Sequence, residues 1–566
     1  MAAPTTVRLS DVIRWARPIL GPDNPYFSLV IIYGIGVGLL SLAIPISVQL
    51  LVNSIANLAL PVPLFTLALV LLTLLLISAL LGALAKYIME LFRRRFMARM
   101  VADITLRAVH AQNPYFADER RDDLFNRYFD IVTMQKSMPS LLIGGFTIVL
   151  QSTVGFIVTA FYHPFFLAFN LLFILVLWVI WQLWARGAMT SVVELSHKKY
   201  ALAHWLESLG GSNGFYKSSR HLDYAMDQTE ARTAAYVDAH RRHFHYAFPQ
   251  TVALLVLYAV ASAGLLALGG WLVIQNQLSI GQLVAAELIM SGIFYGAASL
   301  GPYLDTFYDM VAGLEELSLF RDIPQERIPD RFTQERPPSG ALAFRGVRVD
   351  LGNTEARLDL EITPSSRLVA AAAPGMERQF SSLLKHHFAP IGGMITVGGA
   401  DINDFDVYQL RSEVIVLNRP TIVESTIRDY LGLSRAPRDP VRTLELLKLV
   451  GLDQRIAEMP QGMDTLLSST GWPLSIEETM QLKLAGALLS EPRILVLSGL
   501  YDMMPVERLA QVFDHLRDKP VTLIYFSNRP EHVALDGFLW LGRNAQTITT
   551  DRATFDALRA GAMEDR

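Results

Sequence analysis

The sequence predicts two parts in series: an α-helical membrane domain with six spans, followed by a mixed α/β domain. Hydrophobic residues make up 52% of the 566 positions. Apolar runs of about 20 residues or more, the length needed to cross a bilayer, are concentrated before residue 305. After that point, short apolar runs alternate with helical stretches, a pattern typical of a sheet flanked by helices. We therefore expect one half of the chain in the membrane and the other half outside it.

The composition excludes several classes of site and partner. The chain has no cysteine, so disulfides, thiolate metal sites and cysteine nucleophiles are excluded. Its formal net charge is −4, and no stretch resembles a basic groove interleaved with aromatic residues. Both observations argue against a nucleic-acid partner and leave the lipid bilayer as the first expected partner.

The membrane domain is predicted over residues 25–322, after an elbow segment (1–24) whose amphipathic helix suits the membrane surface. Before residue 305, lysine and arginine fall in the elbow and in the two long links, 86–140 and 186–249, and are absent from the short links. The positive-inside rule therefore places both termini and both long links in the cytoplasm. The six spans are expected near 27–55, 64–90, 141–162, 165–185, 250–274 and 280–302.

One acidic residue interrupts the sixth predicted span. Glu287 lies about two helical turns into the span, and an acid at that depth is by default functional or paired. Two interpretations follow from its position. Glu287 lines a transport cavity, or it pairs with a buried partner.

The α/β domain is predicted over residues 341–566, after a linker at 323–340 that is rich in proline and charge. Its apolar runs alternate with helical stretches, so the domain keeps the pattern of a foldable core. The candidate strands are 344–349, 368–373, 394–397, 413–417, 494–497, 522–526 and 538–541.

The stretch LVAAAAPGMERQFSSLL, residues 368–384, has the frame of a phosphate-binding loop. An apolar strand runs into a turn at Pro374 and Gly375, and a helix is predicted over 381–388. In such a loop, glycines let backbone N–H groups surround the phosphates, a lysine neutralises them, and a Ser or Thr hydroxyl holds magnesium. Laid on the pattern G-x-x-G-x-G-K-[ST], this sequence has Gln379 for the lysine and Phe380 for the hydroxyl.

Further landmarks follow at the spacing of ABC-transporter ATPase domains, which residues 342–550 resemble. PIGGMITVGGADINDFDVYQLR (390–411) resembles the segment before the glutamine loop, LSIEE (474–478) stands where the LSGGQ signature belongs, and RILVLSG (493–499) resembles the Walker B strand. VTLIYFSNR (521–529) resembles the strand before the switch histidine. The nucleotide-site positions of that family are occupied by Leu351, Ala373, Met376, Arg378, Gln379, Phe380, Ser381, Asn418, Leu474, Ser475, Glu477, Glu478, Ser498, Gly499 and Asn528.

Most of these replacements remove chemistry that ATP hydrolysis needs. By the resemblance, Ser498 replaces the magnesium-binding aspartate, Gly499 the catalytic glutamate and Asn528 the switch histidine. Charge-assisted hydrogen bonds contribute roughly 1.5–3 kcal/mol each. Losing the lysine, the metal ligands and part of the set of backbone N–H donors therefore removes about 5–10 kcal/mol of nucleotide-binding free energy. A micromolar site has only about 8 kcal/mol in total. We therefore expect no cofactor, except MgATP where a partner supplies an intact site.

Six spans, two long basic links and an ATPase-like domain resemble an ABC exporter half-transporter with a degenerate nucleotide-binding domain. Residues 44–58 are most similar to the peptide and protein exporter branch. The resemblance implies a homodimer or a heterodimer with another half-transporter, located in the bacterial inner (cytoplasmic) membrane. It also implies that segments of the long links, 113–130 and 206–225, dock on the ATPase-like domains; a solvated helical hairpin is the alternative.

Three functional hypotheses follow. The first is a catalytically inactive half, or accessory subunit, of a heteromeric export complex. The second is a non-transporting membrane scaffold or regulator that uses the dead ATPase domain for docking. The third is an ATP-driven homodimeric exporter with a non-consensus nucleotide site.

Overall fold

The computed structural model describes residues 6–57, 61–113, 115–116, 122–326, 336–351, 354–434, 439–530 and 535–564. The chain divides into two compact units. The membrane unit comprises Met1–Ala111 and Tyr115–Gln325, and the ATPase-like unit comprises Gln112–Pro114 and Glu326–Arg566. The boundary near residue 325 falls at the start of the predicted linker.

The long elements described in the membrane unit are all helices. Six helical stretches are long and apolar enough to cross a membrane, which agrees with the six predicted spans. The first span is broken between two helices two residues before Pro45, a residue that disfavours continuation of the helix it follows. The helices are α1 (Leu9–Leu20), α2 (Asn24–Leu40), α3 (Ala43–Asn57), α4 (Pro61–Val109), α5 (Asp130–Pro139), α6 (Phe146–Ala160), α7 (Pro164–Gly211), α8 (Ser219–Ile274), α9 (Ile280–Ala298) and α10 (Leu300–Leu319).

Glu287 lies on α9 and is half-buried. The Ser291 hydroxyl donates to its Oε1 across one helical turn at 3.2 Å. Its Oε2 is buried and has no hydrogen-bond partner among the described residues. One oxygen is therefore paired locally and the other is left unsatisfied, so neither of the two interpretations of this acid is excluded.

The ATPase-like unit is built on a six-stranded sheet in the order β12-β11-β3-β10-β9-β6. The pairs from β11 to β6 are parallel, and β12 is antiparallel to β11. A second, antiparallel sheet has the order β2-β1-β4-β5. The strands of the two sheets are β1 (Leu342–Asp350), β2 (Glu355–Ile362), β3 (Arg367–Ala372), β4 (Gly392–Val397), β5 (Ala400–Asp401), β6 (Val414–Leu417), β9 (Ile494–Leu497), β10 (Thr522–Phe526), β11 (Gly537–Leu541) and β12 (Gln546–Thr549).

Eight helices and a short strand pair complete the described part of this unit. The pair is β7 (Ser425–Thr426) with β8 (Leu466–Leu467). Buried residues from both sheets and from α11 form one apolar core, and α13 to α17 pack on a second. The helices are α11 (Met376–Leu384), α12 (Val407–Glu413), α13 (Ile427–Gly432), α14 (Pro440–Val450), α15 (Asp453–Glu458), α16 (Ile476–Ser490), α17 (Val506–His515) and α18 (Arg552–Glu564).

All seven predicted strands are present, but the helix predicted over 381–388 is placed wrongly. Helix α11 begins at Met376 and ends at Leu384. It starts directly after Gly375, whose φ of 85° ends the preceding turn. Because Met376 and Phe380 are both completely buried, their spacing of one helical turn sets the register of the helix and moves its start five residues earlier.

Candidate functional site

The carboxyl ends of the parallel strands meet at one edge of the six-stranded sheet. Strand β3 runs into Ala373, β10 into Ser527 and Asn528, β9 into Ser498 and β6 into Asn418. Parallel α/β sheets bind ligands at this edge. Four of the predicted positions, Ala373, Asn418, Ser498 and Asn528, therefore follow strands that end at this edge.

A cavity of about 240 Å³ lies at this edge. Its walls come from the loop after β3, from Gly499 after β9, from Asn528 after β10, and from Glu377 and Arg559 on helices α11 and α18. Of the predicted positions, only three line it: Ala373, Gly499 and Asn528. The cavity therefore lies at the ligand-binding edge of the sheet, and most of the predicted positions do not line it.

The loop between β3 and α11 uses its backbone groups internally. The Ala373 N–H donates to the Leu541 carbonyl at 2.9 Å, and the Met376 N–H donates to the Ala373 carbonyl at 3.0 Å. A phosphate-binding nest requires several successive N–H groups to point at one anion. Since two of the N–H groups here already donate to carbonyls, fewer backbone N–H groups of this loop can bind an anion.

Phe380, at the magnesium-ligand position, is part of the hydrophobic core. Its exposed fraction is 0%. Its ring stacks on Phe344 with the centroids 5.2 Å apart and meets Phe526 edge-on at 6.2 Å. The next residue, Ser381, is also buried, and its hydroxyl has no partner among the described residues. Neither Phe380 nor Ser381 lines the cavity.

The remaining loop positions make different contacts. Gln379, at the lysine position, donates from Nε2 to the Asp350 carbonyl at 3.2 Å, whereas Arg378 is exposed. Leu351, at the adenine-stacking position, packs beside the loop, 3.6 Å from where a Cβ on Gly375 would lie. None of these contacts supplies a cation to the cavity or an aromatic surface to a base.

The charged groups that do line the cavity are Glu377 and Arg559. Burial raises the pKa of the Glu377 carboxyl above its usual value. The Arg559 guanidinium donates to the Asn528 carbonyl at 2.8 Å and so ties α18 to the strand end. The sequence motifs did not point to Arg559, because it lies far along the chain from each of them.

A second residue that the motifs missed is Asp502. Its carboxylate accepts hydrogen bonds from the Ser527 hydroxyl at 2.7 Å and the Asn528 N–H at 2.8 Å, and also one from the Tyr525 hydroxyl. Beside it, Gly499 leaves so little room that an added Cβ would lie 2.9 Å from the Asn528 amide nitrogen. Asp502 therefore fixes the end of β10, and its oxygens are already occupied by protein donors.

The signature-like segment caps its own helix. Ser475 precedes α16, and its hydroxyl accepts from the Glu478 N–H at 3.1 Å, while the Glu478 carboxylate accepts from the Ser475 N–H at 2.8 Å. This is a capping box. Glu478 also pairs with Arg455 at 3.0 Å, Glu477 accepts from Gln481, and Leu474 is buried. The helix N-terminus, which otherwise attracts a phosphate, here carries two acids of its own.

Cations gather around the loop after β6, near the exposed Asn418. The Lys483 ammonium donates to the Thr421 carbonyl at 2.9 Å and also to the Arg419 carbonyl. Burial, and then repulsion from Lys385 and Arg419, lowers the pKa of Lys483 to about 8. Burial likewise lowers the pKa of Lys385, with Arg411 and Arg419 adding to the effect. Lys483 therefore binds backbone carbonyls, and neither Lys483 nor Lys385 lines the cavity.

Comparison of the whole fold identifies its class. A solved structure of a bacterial Atm1-family ABC exporter with ATP bound superposes with a TM-score of 0.79, covering 97% of this chain and 98% of that chain at 15% identity. The chain has the ABC exporter fold. Its six apolar helices make it an integral membrane protein, and the predicted fold class is confirmed.

Curated relatives are ABC transporters as well, although no protein-family model matches the chain. An uncharacterized ABC transporter ATP-binding protein of Bacillus subtilis, YknU, is 28% identical over 241 residues, 41% of each chain. The cyclolysin secretion/processing ATP-binding protein CyaB of Bordetella pertussis is 22% identical over 295 residues, 51% of this chain and 41% of its own length. The chain thus spans about two fifths of these relatives. The resemblance to ABC exporters is confirmed.

Proposed function

We propose that this ABC exporter-like chain is a catalytically inactive half, or an accessory subunit, of a heteromeric membrane export complex. The observation that carries the proposal is the burial of Phe380. An aromatic ring in the core cannot act as a metal ligand, and the neighbouring Gln379 and Arg378 leave no lysine in the loop. The chain then binds no cofactor of its own, and MgATP enters only through a partner's intact site.

The arrangement around the cavity supports the same proposal. Hydrolysis needs a general base and a metal ligand beside the γ-phosphate, and Gly499 and Ser498 supply neither. Asp502, which follows β9, is held to the end of β10 by its hydrogen bonds to Ser527 and Asn528. Strands β9 and β10 themselves contain no acidic residue that could replace the missing groups.

A partner with an intact phosphate loop is part of the proposal. In ABC proteins, each ATP lies between one phosphate loop and the signature of the facing domain. The partner's loop would therefore face Ser475, Glu477 and Glu478 of this chain. The two acids repel the γ-phosphate, so one weakened site is the most that the complex would retain. In this arrangement both termini and both long links lie in the cytoplasm.

The test compares the full-length chain alone with the chain co-purified with an ABC half-transporter that carries intact motifs. We expect no measurable MgATP binding or turnover by the chain alone, and turnover by the complex of the usual order, about 1–10³ s⁻¹. Ordinary turnover by the chain alone would contradict the proposal. A stable self-dimer that supports no transport with any half-transporter would instead favour the scaffold or regulator.

A further inference from the structure

A second cavity, of about 440 Å³, lies wholly within the membrane unit, between the elbow segment and helices α7 and α8. Three arginines line it: Arg8 from the elbow, Arg186 from α7 and Arg242 from α8. The acid in its wall is Glu194, which pairs with Arg242 at 3.0 Å. The charged side chains of the lining therefore carry a net positive charge.

The walls of this cavity are held together by specific contacts. The buried Val7 donates its N–H to the Thr190 hydroxyl at 3.0 Å, which fixes the elbow segment to α7. Ser191 and His243 are 3.1 Å apart and join α7 to α8. The Tyr246 ring lies against Gly187, where an added Cβ would be only 2.4 Å from it. The walls of the cavity are therefore fixed by contacts among the elbow segment, α7 and α8.

Arg186 is a cation of this set without a side-chain partner among the described residues. Arg242 is paired with Glu194 and with Asp238 at 3.1 Å. Among the described residues, the Arg186 guanidinium makes neither a hydrogen bond nor an ion pair, although it is directed toward a cavity that also holds Arg8 and Arg242. The planar guanidinium group of arginine can donate two parallel hydrogen bonds to phosphate oxygens. It is also weakly hydrated, which suits phosphate recognition at an interface.

The position of the cavity specifies which phosphate compound it fits. Arg186 directly follows the fourth predicted span, and Tyr246 lies about one helical turn before the fifth. Both therefore lie at the level of the lipid headgroups. One turn toward the membrane on α7, Leu183 is 64% exposed, so an apolar surface adjoins the cavity. A ligand with a phosphate and an apolar tail matches both surfaces.

We propose that this cavity binds the phosphate of an anionic phospholipid headgroup, with Arg186 and Arg242 as the principal ligands. Basic pockets between membrane helices on the cytoplasmic side recognise anionic lipids in this way. A bound lipid would join the elbow to α7 and α8. This site is independent of whether the ATPase-like unit hydrolyses ATP.

The test uses the full-length chain in mild detergent with equal amounts of phosphatidylglycerol and phosphatidylcholine, and counts retained lipids by native mass spectrometry. We expect the wild type to prefer phosphatidylglycerol and Arg186→Gln to lower that preference about fivefold, as one arginine near an anionic surface should. Arg186→Lys should recover part of it. Because Arg186 has no protein partner to lose, both variants should elute and unfold like the wild type.

Arg241→Gln is the matched control, since it removes the same charge next to Arg242 from a residue that does not line the cavity. It should leave the lipid preference unchanged. An equal loss in Arg241→Gln, or an unchanged preference in Arg186→Gln, would overturn the proposal. A third arm adds inorganic phosphate in large excess. Displacement of phosphatidylglycerol by phosphate would overturn the lipid assignment and indicate a site for free anions.

Discussion

Phe380 stands at the metal-ligand position of a phosphate-binding loop, and its ring is buried between Phe344 and Phe526. Replacing a fully buried phenylalanine by alanine typically costs about 3–5 kcal/mol. We therefore expect Phe380→Ala to lower the unfolding temperature of the ATPase-like unit by roughly 6–20 °C, the shift typical of a domain of this size. Thermal unfolding of the full chain in detergent measures the change.

Gln379→Ala is the control for this prediction. Gln379 is only half-buried, and its contact is one side-chain hydrogen bond to the Asp350 carbonyl. Removing a single such bond costs about 0.5–1.5 kcal/mol. Equal effects of the two variants would show that Phe380 is not a core residue. The sequence indicated a missing hydroxyl here, and only the fold explains what the aromatic ring contributes instead.

A second residue, His387, predicts how the stability of the fold depends on pH. Burial, together with the nearby cations Lys385, Arg411 and Arg419, lowers its pKa to about 4, whereas an unfolded histidine has a pKa of about 6.5. Between these values the unfolded chain binds the additional proton, so this contribution to stability is present above about pH 6.5 and is lost as the pH falls toward 4.

Unfolding temperatures of the wild type and His387→Gln, measured between pH 7.5 and 4.5, test the predicted loss of stability on acidification. The wild type should lose stability more steeply on acidification, because glutamine takes up no proton. The difference between the two curves isolates His387 from the carboxylates that titrate in the same range. Parallel curves would contradict the lowered pKa. The sequence gives no hint of this effect, because the cations come from separate segments of the chain.

At the scale of elements, helix α16 depends on the capping box between Ser475 and Glu478. Replacing such a cap by alanine costs about 0.5–2 kcal/mol. We expect Ser475→Ala to lower the unfolding temperature of the ATPase-like unit by about 1–8 °C. Ser490→Ala is the matched control, since Ser490 lies in the last turn of the same helix and bonds only to the Gly486 carbonyl.

The elements that the sequence predicted best are those with a strong apolar pattern. The seven predicted strands are the buried runs of the sheets, such as β9, whose four residues are all buried. The missed strand β2 alternates exposed and buried residues and has charged residues at its exposed positions. Strand β12 contributes no buried residue. The alternation of β2 is itself the sequence pattern of a half-buried edge strand, whereas β12 has no apolar pattern and is specified by pairing with β11.

At the scale of the whole molecule, one part of the candidate site was predictable from the sequence and another part was not. Motif spacing predicted which strand ends meet, because each motif follows its own strand. It could not predict Asp502, which binds the end of a strand about 25 residues later, or Arg559, which comes from the last helix. Such contacts are set by the packing of distant elements.

A final prediction concerns the complex with a half-transporter that has intact motifs. Glu477 and Glu478 would face the γ-phosphate on the partner's loop, and like charges oppose its binding. We expect Glu477→Gly combined with Glu478→Gln to raise ATP turnover by the complex about tenfold, equivalent to roughly 1.4 kcal/mol. Glutamine at this position still completes a capping box, so α16 should remain folded.

The control for this change is Glu458→Gln, which removes an exposed acid from α15, outside the signature-like segment. It should leave turnover unchanged. Steady-state ATP hydrolysis by the purified complex in lipid vesicles, at saturating MgATP and at a concentration near KM, separates binding from catalysis. If the acids act by repelling the phosphate, the gain should be greater near KM. If turnover increases at neither MgATP concentration, the partner's nucleotide does not bind beside the N-terminus of α16.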